Sequence, residues 1–60
     1  MNIAITTLLG SESMTEHLGP FHSIEIFGSK LRVYEFDNHL NLVEKIIHLD
    51  LENQLIQIYT

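Results

Sequence analysis

The sequence predicts a mostly β domain (α+β), a small antiparallel β-meander of four to five strands with one short helix near residues 11–18. Three observations carry that expectation. β-Branched and aromatic residues gather in short runs separated by turn-forming residues. Within the run 23–27, apolar and polar side chains alternate with period two. Gly19-Pro20 confines any preceding helix to a turn or two.

Taken in order, Ile3 to Leu9 reads as a strand ending at Gly10. Ser11 to Leu18 follows, and Ser13-Met14-Thr15-Glu16 fits a capping box, a hydroxyl answered three residues later by a carboxylate, which places the short helix here. Ser23 to Phe27 is a strand with Ile24 and Ile26 on one face and Glu25 on the other. Gly28-Ser29 makes a turn into a strand over Leu31–Phe36. Asp37-Asn38-His39 is a second turn. A long strand over Leu42–Leu51, a turn at Glu52-Asn53-Gln54 and a closing strand over Leu55–Tyr59 complete the chain. The last third also supports a helix over 38–58, because Leu40, Val43, Ile47, Leu51 and Leu55 recur at spacings of three and four. The Ile-Gln-Ile-Tyr ending and the turn at Glu52-Asn53 favour strands.

Sixty residues form a single small domain (1–60), near the lower limit of what folds unaided. Without cysteine, no disulfide or thiolate–zinc site can reinforce it. Hydrophobic residues nonetheless make up 45% of the chain, more than so small a body can bury. In the 31–36 strand, Leu31 and Val33 face one way while Tyr34 and Phe36 face the other; Leu42 and Ile46 likewise oppose Val43, Ile47 and Leu49. A sheet with one wet face shows cleaner alternation. This sheet is therefore expected to be covered twice, by the short helix and by a second subunit or partner. A homo-oligomer follows, most simply a two-fold dimer. Phe27, Tyr34, Phe36, Ile46 and Tyr59 are the candidate partner or self-interface residues, because aromatic side chains anchor interfaces.

Eight acidic residues stand against three basic ones, for a formal net charge of −5. Such a chain has no electrostatic footprint for a phosphate backbone, so direct nucleic-acid binding is not expected. The apolar stretch from Ile3 to Leu9 is far below the ~20 residues of a membrane span, and the start lacks the positive charge of a signal peptide. No membrane association and a cytoplasmic location are the corresponding expectations.

Chemistry-bearing residues are sparse. His17 and His22 straddle Gly19-Pro20 beside Glu16 and form the one conceivable metal set, but neither His-x-His nor His-x-x-x-His is present, so solvent-facing histidines are the better reading. No Gly-x-Ser-x-Gly or glycine-rich phosphate loop occurs. Glu25 and Glu35 are a possible carboxylate pair across the 28–29 turn if Lys30 or Arg32 lies between them. No catalytic residue, metal or cofactor is expected, and the chain is not expected to be an enzyme.

These readings point to a small acidic protein-binding module that blocks or modulates a protein partner. In size and charge alone it is similar to the inhibitors that phages and mobile elements make against host enzymes or defence systems. Two alternatives are an acidic nucleic-acid mimic occupying a DNA-binding groove and a structural subunit or assembly factor of a larger complex.

Overall fold

Two glycine turns set the local geometry. Gly10 (φ 64°) and Gly28 (φ 57°) each occupy the first central position of a two-residue hairpin loop, with Ser11 and Ser29 second. A positive φ at the first position alone is the type II′ pattern, whose twist matches that of the paired strands. The chain therefore doubles back at once in both places. A computed structural model, which describes residues 1–60, contains six strands: β1 (Asn2–Leu9), β2 (Glu12–Leu18), β3 (Ser23–Phe27), β4 (Lys30–Phe36), β5 (Leu42–His48) and β6 (Gln54–Tyr59).

The strands form two three-stranded antiparallel sheets, ordered β2-β1-β6 and β3-β4-β5. The second is a local meander inserted between β2 and β6, and the first is closed by pairing the two ends of the chain, Asn2 opposite Tyr59. The fold is thus all-β, and three sequence expectations are corrected. Residues 11–18 are not a helix but the hairpin return β2, since the tight turn at Gly10-Ser11 brings them straight back onto β1. Thr15, part of the supposed capping box, instead hydrogen-bonds Thr6 across the ladder (2.9 Å). The four-to-five-strand meander is six strands in two sheets. The helical alternative over 38–58 gives way to β5, a turn and β6.

The core lies between the sheets. Ile3 and Ile5 of β1 pack with Leu31 and Val33 of β4, and Phe21, from the β2–β3 connection, fills one end. Leu18, Ile24, Ile47, Leu49 and Ile56 surround them. Paired residues share a face, so the registers Ile3↔Leu18, Ile3↔Ile58, Ile24↔Val33 and Leu31↔Ile47 assign all of these to the inward sides. Phe21 is held by backbone bonds in both directions, its N–H to the Met1 carbonyl (2.6 Å) and its carbonyl from the Met1 amino group (2.9 Å). Gly19 makes room for this clasp. A Cβ there would lie 2.6 Å from Asn2 Oδ1 and 3.1 Å from the Met1 carbonyl, at a φ of 128° that other residues avoid.

Only six residues are buried, whereas fourteen large hydrophobic side chains are exposed. The molecule measures 42 × 20 × 17 Å, with a radius of gyration of 12.5 Å where about 10.4 Å is usual for this length. Its accessible surface of 4481 Å² likewise exceeds the roughly 4,000 Å² of a typical protein of its mass. Leu9 and Met14 share the inward-facing side with Ile3 and Ile5 yet are exposed, so the tip of the β1–β2 hairpin runs out beyond the opposite sheet. No helix is long and apolar enough to cross a membrane.

Candidate binding surface

The strand β4 supplies the central row of the outer face of β3-β4-β5. Its inward residues are Leu31 and Val33, so Lys30, Arg32, Tyr34 and Phe36 project outward. The registers add Phe27 and Glu25 from β3 and Leu42, Glu44, Ile46 and His48 from β5. Phe27, Phe36, Leu42 and Ile46 are all exposed, Phe36 by 55% of its surface. Of the five candidate interface residues, four (Phe27, Tyr34, Phe36 and Ile46) therefore lie on one face.

Arg32 organises the middle of this face. Its guanidinium sits 4.8 Å from the Phe27 ring centroid, a cation–π distance. Glu25 lies 3.7 Å from Nη1 and Glu44 3.5 Å from Nε. Nε itself is shut off from solvent and makes no hydrogen bond, because Glu44 answers it as a charge without the geometry of a bond. Glu44 also accepts a long bond from the Tyr34 hydroxyl (3.5 Å). The carboxylate pair considered across the 28–29 turn does not form: Glu25 faces outward to Arg32, while Glu35 is on the opposite side of the sheet, paired with Lys45.

At one end of the face Phe36 meets His22 edge to ring, with centroids 5.3 Å apart. An open depression of about 500 Å³ adjoins them, lined by Gly19, Pro20, Phe21, His22, Glu35 and Phe36. Beyond Phe36 the chain turns through Asp37–Asn41. The Asp37 carboxylate accepts the N–H groups of His39 (2.8 Å) and Asn41 (2.9 Å). Those bonds, Asn41's first and His39's second, hold its carboxyl below the ordinary value. The tightness of the turn forces Leu40 to φ 63°, a left-handed conformation unusual for leucine, with 81% of its surface in water. In the sequence Leu40 fits only a possible helical stripe, and no neighbouring residue type marks a strained, exposed leucine.

Tyr59 lies elsewhere, on the outer face of β2-β1-β6. Its hydroxyl meets His17 Nδ1 (3.0 Å), and the two rings form an edge contact across β1, where Ala4 is buried opposite His17. His17 and His22 are thus engaged by different aromatic partners, and no group of three or more His, Cys, Asp or Glu side chains converges as a metal site. No protein-family model, curated protein or solved structure matches the chain.

Proposed function

We propose that this chain is a small, non-catalytic protein-binding module that occludes a protein partner with the outer face of β3-β4-β5, in the manner of phage or mobile-element inhibitors of host enzymes or defence systems. The observation that carries the reading is the composition of that face: two exposed phenylalanines, a tyrosine and an arginine, flanked by Leu42 and Ile46, on a three-stranded sheet. Aromatic residues and arginine are the types enriched at the centres of interfaces. The Arg32 side chain, 37% exposed, offers a partner its accessible edge, while Nε stays buried beneath it. Leu40, in the turn that joins Phe36 at the end of β4 to Leu42 at the start of β5, is exposed as well. On the outer face of β3-β4-β5 Glu25 and Glu44 both lie against Arg32, so that face does not present the unpaired negative charge that a nucleic-acid mimic needs. Self-association into a dimer, in the cytoplasm, belongs to the same proposal.

The test is substitution on the face with the fold left intact. Phe36→Asp and Tyr34→Asp each place a charge that cannot be solvated in a closed interface. Both variants should keep the β-sheet circular dichroism of the parent and lose the partner co-purifying with it. A folded Phe36→Asp variant that retains its partner would show that the interface is elsewhere.

A further inference from the structure

Four strand edges are open in this fold, and three are guarded. β2 carries Glu12 and Glu16, β3 carries Glu25, and β5 carries Glu44 and Lys45. Charged side chains on edge strands discourage pairing with another chain. β6, Gln54-Leu55-Ile56-Gln57-Ile58-Tyr59, has no charge at all, and Leu55 (63%), Ile58 (39%) and Tyr59 (40%) are exposed.

The ladder fixes which backbone groups of β6 are open. Leu8 donates its N–H to the Asn53 carbonyl (2.7 Å), which makes 8↔53 a hydrogen-bonded pair continuous with the β1–β6 register. Hydrogen-bonded pairs alternate along an antiparallel ladder. Leu55, Gln57 and Tyr59 therefore bond to β1, while Ile56 and Ile58 turn their N–H and C=O groups outward. None of the backbone bonds outside the strands involves either of them.

We infer that β6 is the seam of a two-fold dimer, pairing antiparallel with β6 of a second copy about an axis at Gln57. Only this register matches side chains on both faces. On the outer face Leu55 lies opposite Tyr59 of the other copy, and Gln57 opposite Gln57. On the inner face Ile56 lies opposite Ile58. Ile56 and Ile58 then exchange both backbone bonds with Ile58 and Ile56 across the axis. Shifting the axis to Ile56 sets Leu55 against Gln57 and Gln54 against Ile58, which mismatches both faces. For a chain of net charge −5, the uncharged strand is also the edge where two copies meet without carboxylates in the seam. The resulting six-stranded sheet ends on β2 at both sides, where Glu12 and Glu16 stop further addition. This assignment deepens the self-association part of the reading above and rests on it, while leaving the β3-β4-β5 face free for the partner.

Cysteine is absent from the native chain, so a single introduced thiol reports the axis. Gln57 occupies a non-hydrogen-bonded pair, where Cα atoms lie about 4.5 Å apart and a disulfide closes readily. Gln57→Cys should cross-link quantitatively into dimers under mild oxidation, and Glu12→Cys should not. Gln57→Lys, which opposes like charges on the axis, should raise the dimer dissociation constant at least tenfold while keeping the parent circular dichroism. In the parent, Ile56 and Ile58 amides should be protected from exchange like those facing β1. A dimeric parent whose mass is unchanged by Gln57→Lys overturns the seam but leaves self-association standing. A parent that is monomeric at millimolar concentration overturns both.

Discussion

Leu40 and Asp37 show how single residues build the strained end of the proposed surface. A leucine in the left-handed region costs about 1–2 kcal/mol relative to ordinary backbone. Leu40→Gly should relieve that strain and, after the greater freedom of glycine in the unfolded chain, raise stability by about 0.5–1 kcal/mol in urea titration. If Leu40 also contacts the partner, the same variant binds more weakly, separating stability from function. Asp37 stabilises its turn as a carboxylate. Because its folded pKa is depressed, the contribution is complete above the ordinary value of 3.8 and is lost as pH falls through the lower folded value. Exchange of the His39 and Asn41 amides, corrected for intrinsic rates, should therefore accelerate below about pH 4, ahead of the amides of β4. The turn at Asp37-Asn38-His39 was legible from residue types alone. The conformation of Leu40 was not, since its side chain carries no turn preference and only closure of the loop imposes it.

At the scale of elements, the hairpins were legible where glycine stood between alternating runs, as at Gly28. β2 was missed because its local signal, a hydroxyl cap and a carboxylate three residues on, is weaker than the turn before it. Once Gly10-Ser11 reverses the chain, Met14, Glu16 and Leu18 fall on one side and Ser13, Thr15 and His17 on the other. Strand alternation was present, but Glu16 on the inward side disguised it. Glu16 lies opposite the buried Ile5 but on β2, the edge strand of its sheet, where its side chain is exposed to water. The connection from β2 into β3 depends on Gly19. Gly19→Ala should cost about 1–3 kcal/mol, because both its φ and its closeness to Met1 and Asn2 exclude a side chain. A melting temperature equal to that of the parent would show that the clasp can shift without loss.

For the whole molecule, the division into two sheets was beyond the sequence, because the pairing of β1 with β6 joins the two ends of the chain and leaves no local mark. The surplus of hydrophobic residues was legible, and so was the opposition of Leu31 and Val33 to Tyr34 and Phe36 that defines the candidate face. What covers the inner side is a second sheet and not a helix. Four of the candidate residues were brought together by strand parity, which the sequence does specify; Tyr59 was separated from them by topology, which it does not. With six buried residues the core has no reserve. A domain of this size is stable by about 3–9 kcal/mol, and truncating a fully buried leucine costs about 2–5 kcal/mol. Leu31→Ala should lower stability by about 2–5 kcal/mol in urea titration, whereas Phe27→Ala, on the open face, should change it by less than about 1 kcal/mol.

The most direct measurement is native mass spectrometry of the protein purified gently from its own source, beside its Phe36→Asp variant. The account predicts a heteromeric mass containing this 6.9 kDa chain and a protein partner, reduced in the variant to the chain's own assembly. A parent found only by itself, or a variant carrying the same partner as the parent, would contradict it.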